Sequence, residues 1–286
     1  TVNTSAVTAI TNGTAAFSTV PKVIFAEPLF SDIYFCDGAN YKYYDVSANL
    51  MAAWEATEGT MPEQEAEVGT VSGATNATPI VVTVTAHGYT TGDQATIANV
   101  LGNTAANGNW TITVVNANTF SLDGSVGNGA YTSGGTCTIR RIGSKCSLIA
   151  VWGGRIVLSG LQTDPNNIFM SAVGDPFNWD YSPEVQTVQQ AVAGNVTSGY
   201  GKNIDIVTAL IPYTDDILLI GGSHSIRKLM GNPAEGGVNV SVTDITGIAQ
   251  GAAWCQSPEG IIYFFGSRGG VYRMDPNNGI PNRLTS

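Results

Sequence analysis

The feature that most constrains this chain is a pattern that occurs four times. It is a short apolar strand, a tight turn, a second apolar strand, another turn and an amphipathic third strand. Residues 23–44 give VIFAE, a turn over 28–32, then IYFCDG and YKYYD. Residues 147–173 give SLIAVW, a turn at Gly153-Gly154, then RIVLSG and NIFMSAV. Residues 207–231 give VTALIPY, a turn over 214–216, then ILLIGG and IRKLMG; residues 252–275 give AAWCQ, a turn over 257–260, then IIYFF and VYRMD. The second strands begin at Ile33, Arg155, Ile217 and Ile261, spaced by 122, 62 and 44 residues.

The first spacing contains a stretch of different composition. Residues 71–139, 69 in all, hold only Asp93 and Asp123 as charged side chains. Without it the first spacing is 53 residues. Periods of roughly 40–60 residues with a β-meander per repeat are those of a β-propeller, whose blades must stack to cover their faces. The expected fold class is therefore all-β: propeller-like repeats of antiparallel blades with an inserted small β-barrel. The domains expected are 1–68 (first propeller portion and acidic linker), 69–140 (inserted barrel) and 141–286 (remaining blades). The apolar second strands suit inner positions, and Lys42, Arg227, Lys228 and Arg273 suit outer strands. The chain ends soon after the third strand of a unit, so an incomplete or trimmed propeller is expected; the absence of an initial Met reads the same way.

Inside the insert, alternating runs are separated by turn residues: Ile80-Val81-Val82-Thr83-Val84, Gln94-Ala95-Thr96-Ile97, Trp110-Thr111-Ile112-Thr113-Val114-Val115, Thr119-Phe120-Ser121-Leu122 and Thr136-Cys137-Thr138-Ile139. Period-two runs with turns every 8–12 residues read as a small closed or sandwiched β unit. Residues 47–68 (SANLMAAWEATEGTMPEQEAEV) hold the one short helix expected, followed by an acidic linker.

Charge excludes several functions. The net charge is −10 and charged residues are 12% of the chain, against about 25% in typical domains. Twelve basic residues without clustering argue against a dedicated nucleic-acid binder. No apolar run of membrane-spanning length occurs, and TVNTSAVTAI lacks the basic start and apolar core of a signal peptide.

Candidates for chemistry are few. Cys36, Cys137, Cys146 and Cys255 are scattered, and zinc sites show paired ligands at short spacing. They read as buried reduced thiols, a Cys137–Cys146 bridge being the one pairing to check. His87 and His224 fall in turns without a nucleophile elbow. A glycosidase needs paired carboxylates, which directs attention to Asp215-Asp216, Asp164, Asp175, Asp180 and Asp244; their setting reads as turn-forming or capping. The D-P-N-N stretches at 164–167 and 275–278 lack the distal Glu of a calcium loop and read as Pro-Asn turns. The Gly pairs connect strands, so no phosphate loop is expected. No catalytic, cofactor or metal residue is assigned, and the expectation is a non-enzyme.

The flanking repeats resemble the tail nozzle proteins of short-tailed bacteriophages, a group that includes the so-called DNA stabilisation proteins. The residues that carry this are Arg155-Ile156-Val157-Leu158-Ser159-Gly160 with Asn167-Ile168-Phe169-Met170-Ser171-Ala172-Val173-Gly174-Asp175-Pro176. Ala209-Leu210-Ile211-Pro212-Tyr213 follows with Asp216-Ile217-Leu218-Leu219-Ile220 and Ile226-Arg227-Lys228-Leu229, then Gly260-Ile261-Ile262-Tyr263-Phe264 with Gly270-Val271-Tyr272-Arg273. The insert resembles β-barrel modules of phage virion proteins that are likened to a half-domain of ubiquitin-activating enzymes. Its matching residues are Thr78-Pro79-Ile80-Val81-Val82, Ala86-His87-Gly88-Tyr89 with Gly92-Asp93, Asn107-Gly108-Asn109-Trp110 and Thr119-Phe120-Ser121-Leu122-Asp123-Gly124.

The resemblance implies a structural tail protein in the virion: a homo-oligomeric ring at the distal tail. Tail adaptor and tail fibre or needle proteins would be its partners, and DNA would pass through its channel without sequence-specific binding. The alternative is an adhesin or fibre-attachment protein that binds host glycans through the barrel, for which Tyr89, Trp110 and Tyr131 are the candidate exposed aromatics, with core packing the favoured role for Trp110. A propeller hydrolase using Asp215 or Asp216 is the third reading.

Overall fold

The computed structural model describes residues 25–64, 67–140, 145–194, 203, 205–277 and 279–285. By contacts the chain divides into two compact units, Gln64–Ser144 and the two flanks Thr1–Glu63 with Lys145–Ser286.

The flanking unit is a series of four-stranded antiparallel sheets, each a meander in chain order. The first blade comprises β1 (Phe25–Leu29), β2 (Asp32–Cys36), β3 (Tyr41–Asp45) and β4 (Leu50–Ala53). A two-residue strand, β5 (Glu58–Gly59), follows it. The insert contributes β6 (Glu67–Thr70), β7 (Gly73–Ala74), β8 (Val81–Thr83), β9 (Gln94–Ala98), β10 (Gly108–Asn116), β11 (Thr119–Leu122) and β12 (Thr136–Arg140). The second blade is β13 (Leu148–Trp152), β14 (Arg155–Leu161), β15 (Asp164–Met170) and β17 (Val192–Ala193), with β16 (Asn178–Trp179) paired in parallel to β5. The third is β18 (Val207–Thr214), β19 (Ile217–Gly222), β20 (Ile226–Met230) and β21 (Val238–Thr243). The fourth is β22 (Trp254–Gln256), β23 (Ile262–Phe265), β24 (Val271–Met274) and β25 (Asn282–Arg283). This is an all-β, propeller-like fold.

Alternation along each strand decides how blades stack. In the first blade Tyr34, Cys36 and Tyr41 join Ile149, Ile156 and Leu158 of the second in one buried cluster. The opposite parity of the second blade (Leu148, Ala150, Val157) packs on Val207, Leu218 and Ile220 of the third. Ala209, Ile211 and Leu219 then pack on Ile262, Phe264 and Met274 of the fourth. Each sheet between two others is therefore apolar on both faces, which is why its strands read as continuous hydrophobic runs. First strands neighbour one another: β13 touches both β1 and β18. Among the described residues no apolar cluster joins the fourth blade to the first.

The outward face of the fourth blade follows from register. Trp254, Phe264 and Tyr272 are cross-strand neighbours, so Cys255, Tyr263, Arg273 and Asn282 occupy the other side. Phe265, of that same outward parity, is half exposed.

Two indoles lock the first blade to the second. Nε1–H of Trp54 and Nε1–H of Trp179 both donate to the Pro176 carbonyl at 2.9 Å, with ring centroids 5.8 Å apart. Both rings are fully buried. Gly59 lies beside them at φ +68°, and a Cβ there would land on the Trp179 carbonyl. Only glycine lets β5 approach β16 this closely.

The insert's seven strands form one sheet, ordered β6-β12-β9-β10-β11-β8-β7. Its two edge strands are separated by Val71 and Ser72 alone. Val71 N–H donates to Gly135 on one side and Ser72 N–H to Thr83 on the other, so one continuous stretch joins both edges and the sheet curls upon itself. β10 serves both halves, pairing β9 through Gly108, Asn109, Trp110 and Thr111 and β11 from Ile112 onward. Ile80, Val82, Ile97, Ile112, Phe120 and Leu122 fill its own core.

Several expectations need correction. Residues 50–53, expected within a helix, are strand β4: Tyr41–Asp45 offers an edge, and pairing outweighs the weak helix preference of a short segment. Residues 65–66 of that stretch lie outside the described residues. Lys42, Arg227, Lys228 and Arg273 sit on third strands, with a fourth strand beyond them, and Lys42 is buried. The stretch at 164–167 starts strand β15 and is no turn. Pro165 is tolerated because β17 pairs only with Phe169 and Met170, leaving the first half of β15 an edge.

Replacing Trp54 or Trp179 by Ala is expected to cost about 3–5 kcal/mol each. Because both indoles share one carbonyl, the double variant should cost less than the sum. Urea unfolding of the three variants measures this.

Candidate functional site

The junction of the second and third blades carries a grouping of polar side chains. A cavity of about 240 Å³ opens there, lined by Trp152, Arg155, Asp215, Asp216, Asn232 and Pro233 among others. Hairpin geometry places these groups. Gly153 and Gly154, at φ +56° and +72°, turn β13 into β14, which sets Trp152 and Arg155 at facing ends of the hairpin. Trp152 Nε1–H donates to the Thr214 carbonyl of the next blade at 2.9 Å. Asp215 and Asp216 form the β18–β19 turn at the cavity's rim, exposed to solvent.

Arg155 is almost wholly buried. Its Nη1 donates to the carbonyls of Ser171 and Gln190, and its Nη2 to the Val188 carbonyl at 3.0 Å and to Asn232 Oδ1 at 3.4 Å. The guanidinium thus gathers main-chain acceptors from the 180–191 segment and holds that segment against the blade. Asn232 in turn donates to Val188 and accepts from Ala234 N–H. The indole and the amide are committed to protein partners, so the cavity offers a ligand the two rim carboxylates, acceptors for a hydroxylated or amine group.

A second grouping lies in the third blade. Asp205 accepts from the main-chain N–H of Ile206, His224 and Ser225 and from Ser225 Oγ–H. Burial alone would raise its pKa; the hydrogen bonds to the charged form outweigh that and hold it below its usual value of 3.8. His224 Nδ1 stands 3.6 Å from Asp205 Oδ1, the imidazole largely exposed. Serine, histidine and aspartate are thus adjacent, but Ser225 donates to the aspartate and not to the imidazole. Nucleophile activation needs the Ser–His contact.

The remaining candidates have local roles. His87 is buried, its Nδ1 accepting from Tyr89 N–H and its Nε2 facing the Asn116 carbonyl, both at 3.0 Å. That pattern assigns the proton to Nε2. Asp164 accepts from Asn167 Nδ2, Asp175 from Phe177 N–H, Asp180 from Ser182 N–H and Asp244 from Ser241 Oγ. Asp275 caps a turn through Asn277 N–H; Asn278 lies outside the described residues. Among the described residues no three His, Cys, Asp or Glu side chains gather to hold a metal.

The expected exposure of Tyr89 and Tyr131 changes here, and among the cysteines only the expected burial of Cys255 does. Tyr89 is buried and stacks on His87 at 4.7 Å. Trp110 packs against the barrel core with its Nε1 bonded to Ala106, and Tyr131 OH is held by the Val71 and Gly134 carbonyls. The barrel's aromatics therefore serve its interior. No Cys137–Cys146 bridge forms: all four cysteines are free, and only Cys255 is exposed. Burial pushes the Cys137 thiol up to about 11 and Cys146 up to about 12, which keeps both as unreactive thiols.

The sequence carries no signal for the Asp205 network or the Arg155 cage, because their partners are mostly main-chain atoms.

No protein-family model matches the chain, and no curated protein matches it by sequence. Among solved structures it is similar to the phage phi92 endosialidase, at 12% identity and a TM-score of 0.32 over 95% of this chain and 48% of that one. It is also similar to a structural-genomics protein of unknown function from Bacteroides thetaiotaomicron, at 11% identity and a TM-score of 0.32 over 80% of this chain and 62% of that one. A third is Kluyveromyces lactis Hsv2, at 10% identity and a TM-score of 0.30 over 90% and 80% of the two chains. The chain thus spans about half the length of the endosialidase. No helix among the described residues is long and apolar enough to cross a membrane.

Asp205→Asn should cost about 1–2 kcal/mol near neutral pH, since a partly buried ionic acceptor of several hydrogen bonds is lost. Its folded-state pKa lies below the unfolded value, so its contribution is present above about pH 4 and is lost as pH falls through the folded pKa. The stability gap between the native chain and the variant should therefore close in acid, as denaturant titrations at stepped pH would read.

Proposed function

We propose that this chain is a structural protein of a bacteriophage tail, and specifically a nozzle subunit that forms a ring at the distal tail. The observation that carries the reading is the run of strand motifs through the second, third and fourth blades, in the order and spacing of the tail nozzle resemblance. Two physical features support it. The fourth blade presents an outward face of Tyr263, Phe265, Cys255 and Arg273 with no fifth sheet on it among the described residues, and a ring needs such a lateral surface for a heterologous contact. A net charge of −10 lets DNA pass without being held by counterion-releasing contacts.

The test is assembly of the full chain. Light scattering and negative-stain imaging at high concentration should give closed rings with an axial channel. A monomer throughout the range, with no channel in any particle, would overturn the reading.

A second reading, glycan attachment through the barrel, now rests on a different surface from its aromatics. Thr96 bonds Asn109 at 2.8 Å and Gln94 bonds Thr111 at 2.9 Å across β9 and β10, and Thr138 lies beside Thr96. These hydroxyls and amides form a polar face suited to sugars. Under this reading a glycan array probed with the full chain gives hits that Thr96→Val with Thr111→Val removes; an empty array rejects it.

A further inference from the structure

Each blade ends on a fourth strand, whose outward edge is a template for another strand unless it is short, charged or interrupted by proline. Three edges are short: β4 has four residues, β17 and β25 two each. β21 has six, VNVSVT, with neither charge nor proline. It pairs with β20 alone, and among the described residues no main-chain or side-chain group bonds its outward N–H and C=O groups.

A groove of about 280 Å³ runs beside this edge, lined by Val240, Val242, Lys228, Pro276 and Ile280. Ile280 is 68% exposed. Val238 and Val240 stand opposite Met230 and Lys228, so their side chains share one face of the sheet. A strand added beyond β21 would place every second side chain on that face, over the groove. Among the described residues Lys228 Nζ donates to the Pro276 carbonyl alone, at 3.4 Å, and no carboxylate pairs with it.

We propose that β21 is a docking edge for an extended peptide segment of a partner protein, with alternating apolar side chains and a carboxylate in register with Lys228. Main-chain hydrogen bonds along the six-residue edge supply the affinity. The groove selects apolar side chains on one face, and Lys228 selects for the acid.

The experiment titrates the full chain with capped hexapeptides that alternate Val with Thr, carrying one Glu at each Val position in turn, since the Val side chains share the face of Lys228. Calorimetry reads affinity and hydrogen exchange reads location. The tightest peptide should protect amides of residues 238–243. Of its two alternately N-methylated versions, one should lose binding and the other keep it, because only one edge of the peptide bonds to β21. Lys228→Glu should weaken the Glu-bearing peptide about threefold, the scale of one exposed ion pair, and leave the Glu-free peptide unchanged. Val240→Pro should abolish binding; since it could also unfold the blade, the N-methyl pair and Lys228→Glu are read independently of it. The proposal is overturned if no peptide binds up to about 1 mM, a free energy near −4 kcal/mol, or if both N-methylated versions bind alike. Protection that falls elsewhere, or that appears on β21 from protein concentration alone and so marks a second copy as the occupant, overturns it equally.

Discussion

A four-stranded sheet that is apolar on both faces has no stable existence by itself, and the flanking unit is organised by that constraint. Val157 and Leu158, consecutive in β14, belong to different buried clusters, one shared with the third blade and one with the first. The same holds for Leu218 and Leu219 in β19. β14 and β19 are thus each a partition between two cores, and a substitution in either is felt on one side only. The polar groups that such packing traps are satisfied in kind: two indoles on the Pro176 carbonyl, and Arg155 on a set of main-chain oxygens. Burial of this sort is tolerable only when each donor finds its acceptor.

How much of this was legible in the sequence depends on where the pairing partner lies. β2, β14 and β19, and β8 to β12 of the insert, are found at or within a residue or two of their expected positions, because each carries its own pattern of burial. β17 and β25 have two residues apiece and no pattern to read; they exist as strands because a neighbouring edge is available. β4 is the instructive case, since Leu50-Met51-Ala52-Ala53 suits a helix locally and Tyr41–Asp45 recruits it as a strand. The aromatics of the insert misled for a related reason. Tyr89 sits next to a turn in sequence, yet it is turned inward onto His87 and Phe120.

The polar groupings separate into those that hold the fold and those that face solvent. Asp205, Arg155 and His87 spend their hydrogen bonds on main-chain atoms, fixing a turn, a long segment and a hairpin loop respectively. Asp215, Asp216 and the hydroxyl face of the barrel are committed to no such task. The surface available for recognition is therefore assembled from loops and edges, and the apolar strands beneath serve as its frame.

The neck of the insert has a consequence of a different kind. Glu63 and Lys145 form an antiparallel bridge and an ion pair, so the chain leaves the flanking unit and returns to it one strand spacing away. Among the described residues the blades' buried clusters contain none from the insert, and the insert's cluster contains none of theirs. A coding segment for residues 64–144 could be lost, gained or traded between genes by two crossovers that leave the membership of the blades' buried clusters as it is. The barrel is in that sense heritable cargo, free to diversify at its own pace while the blades stay constrained by one another.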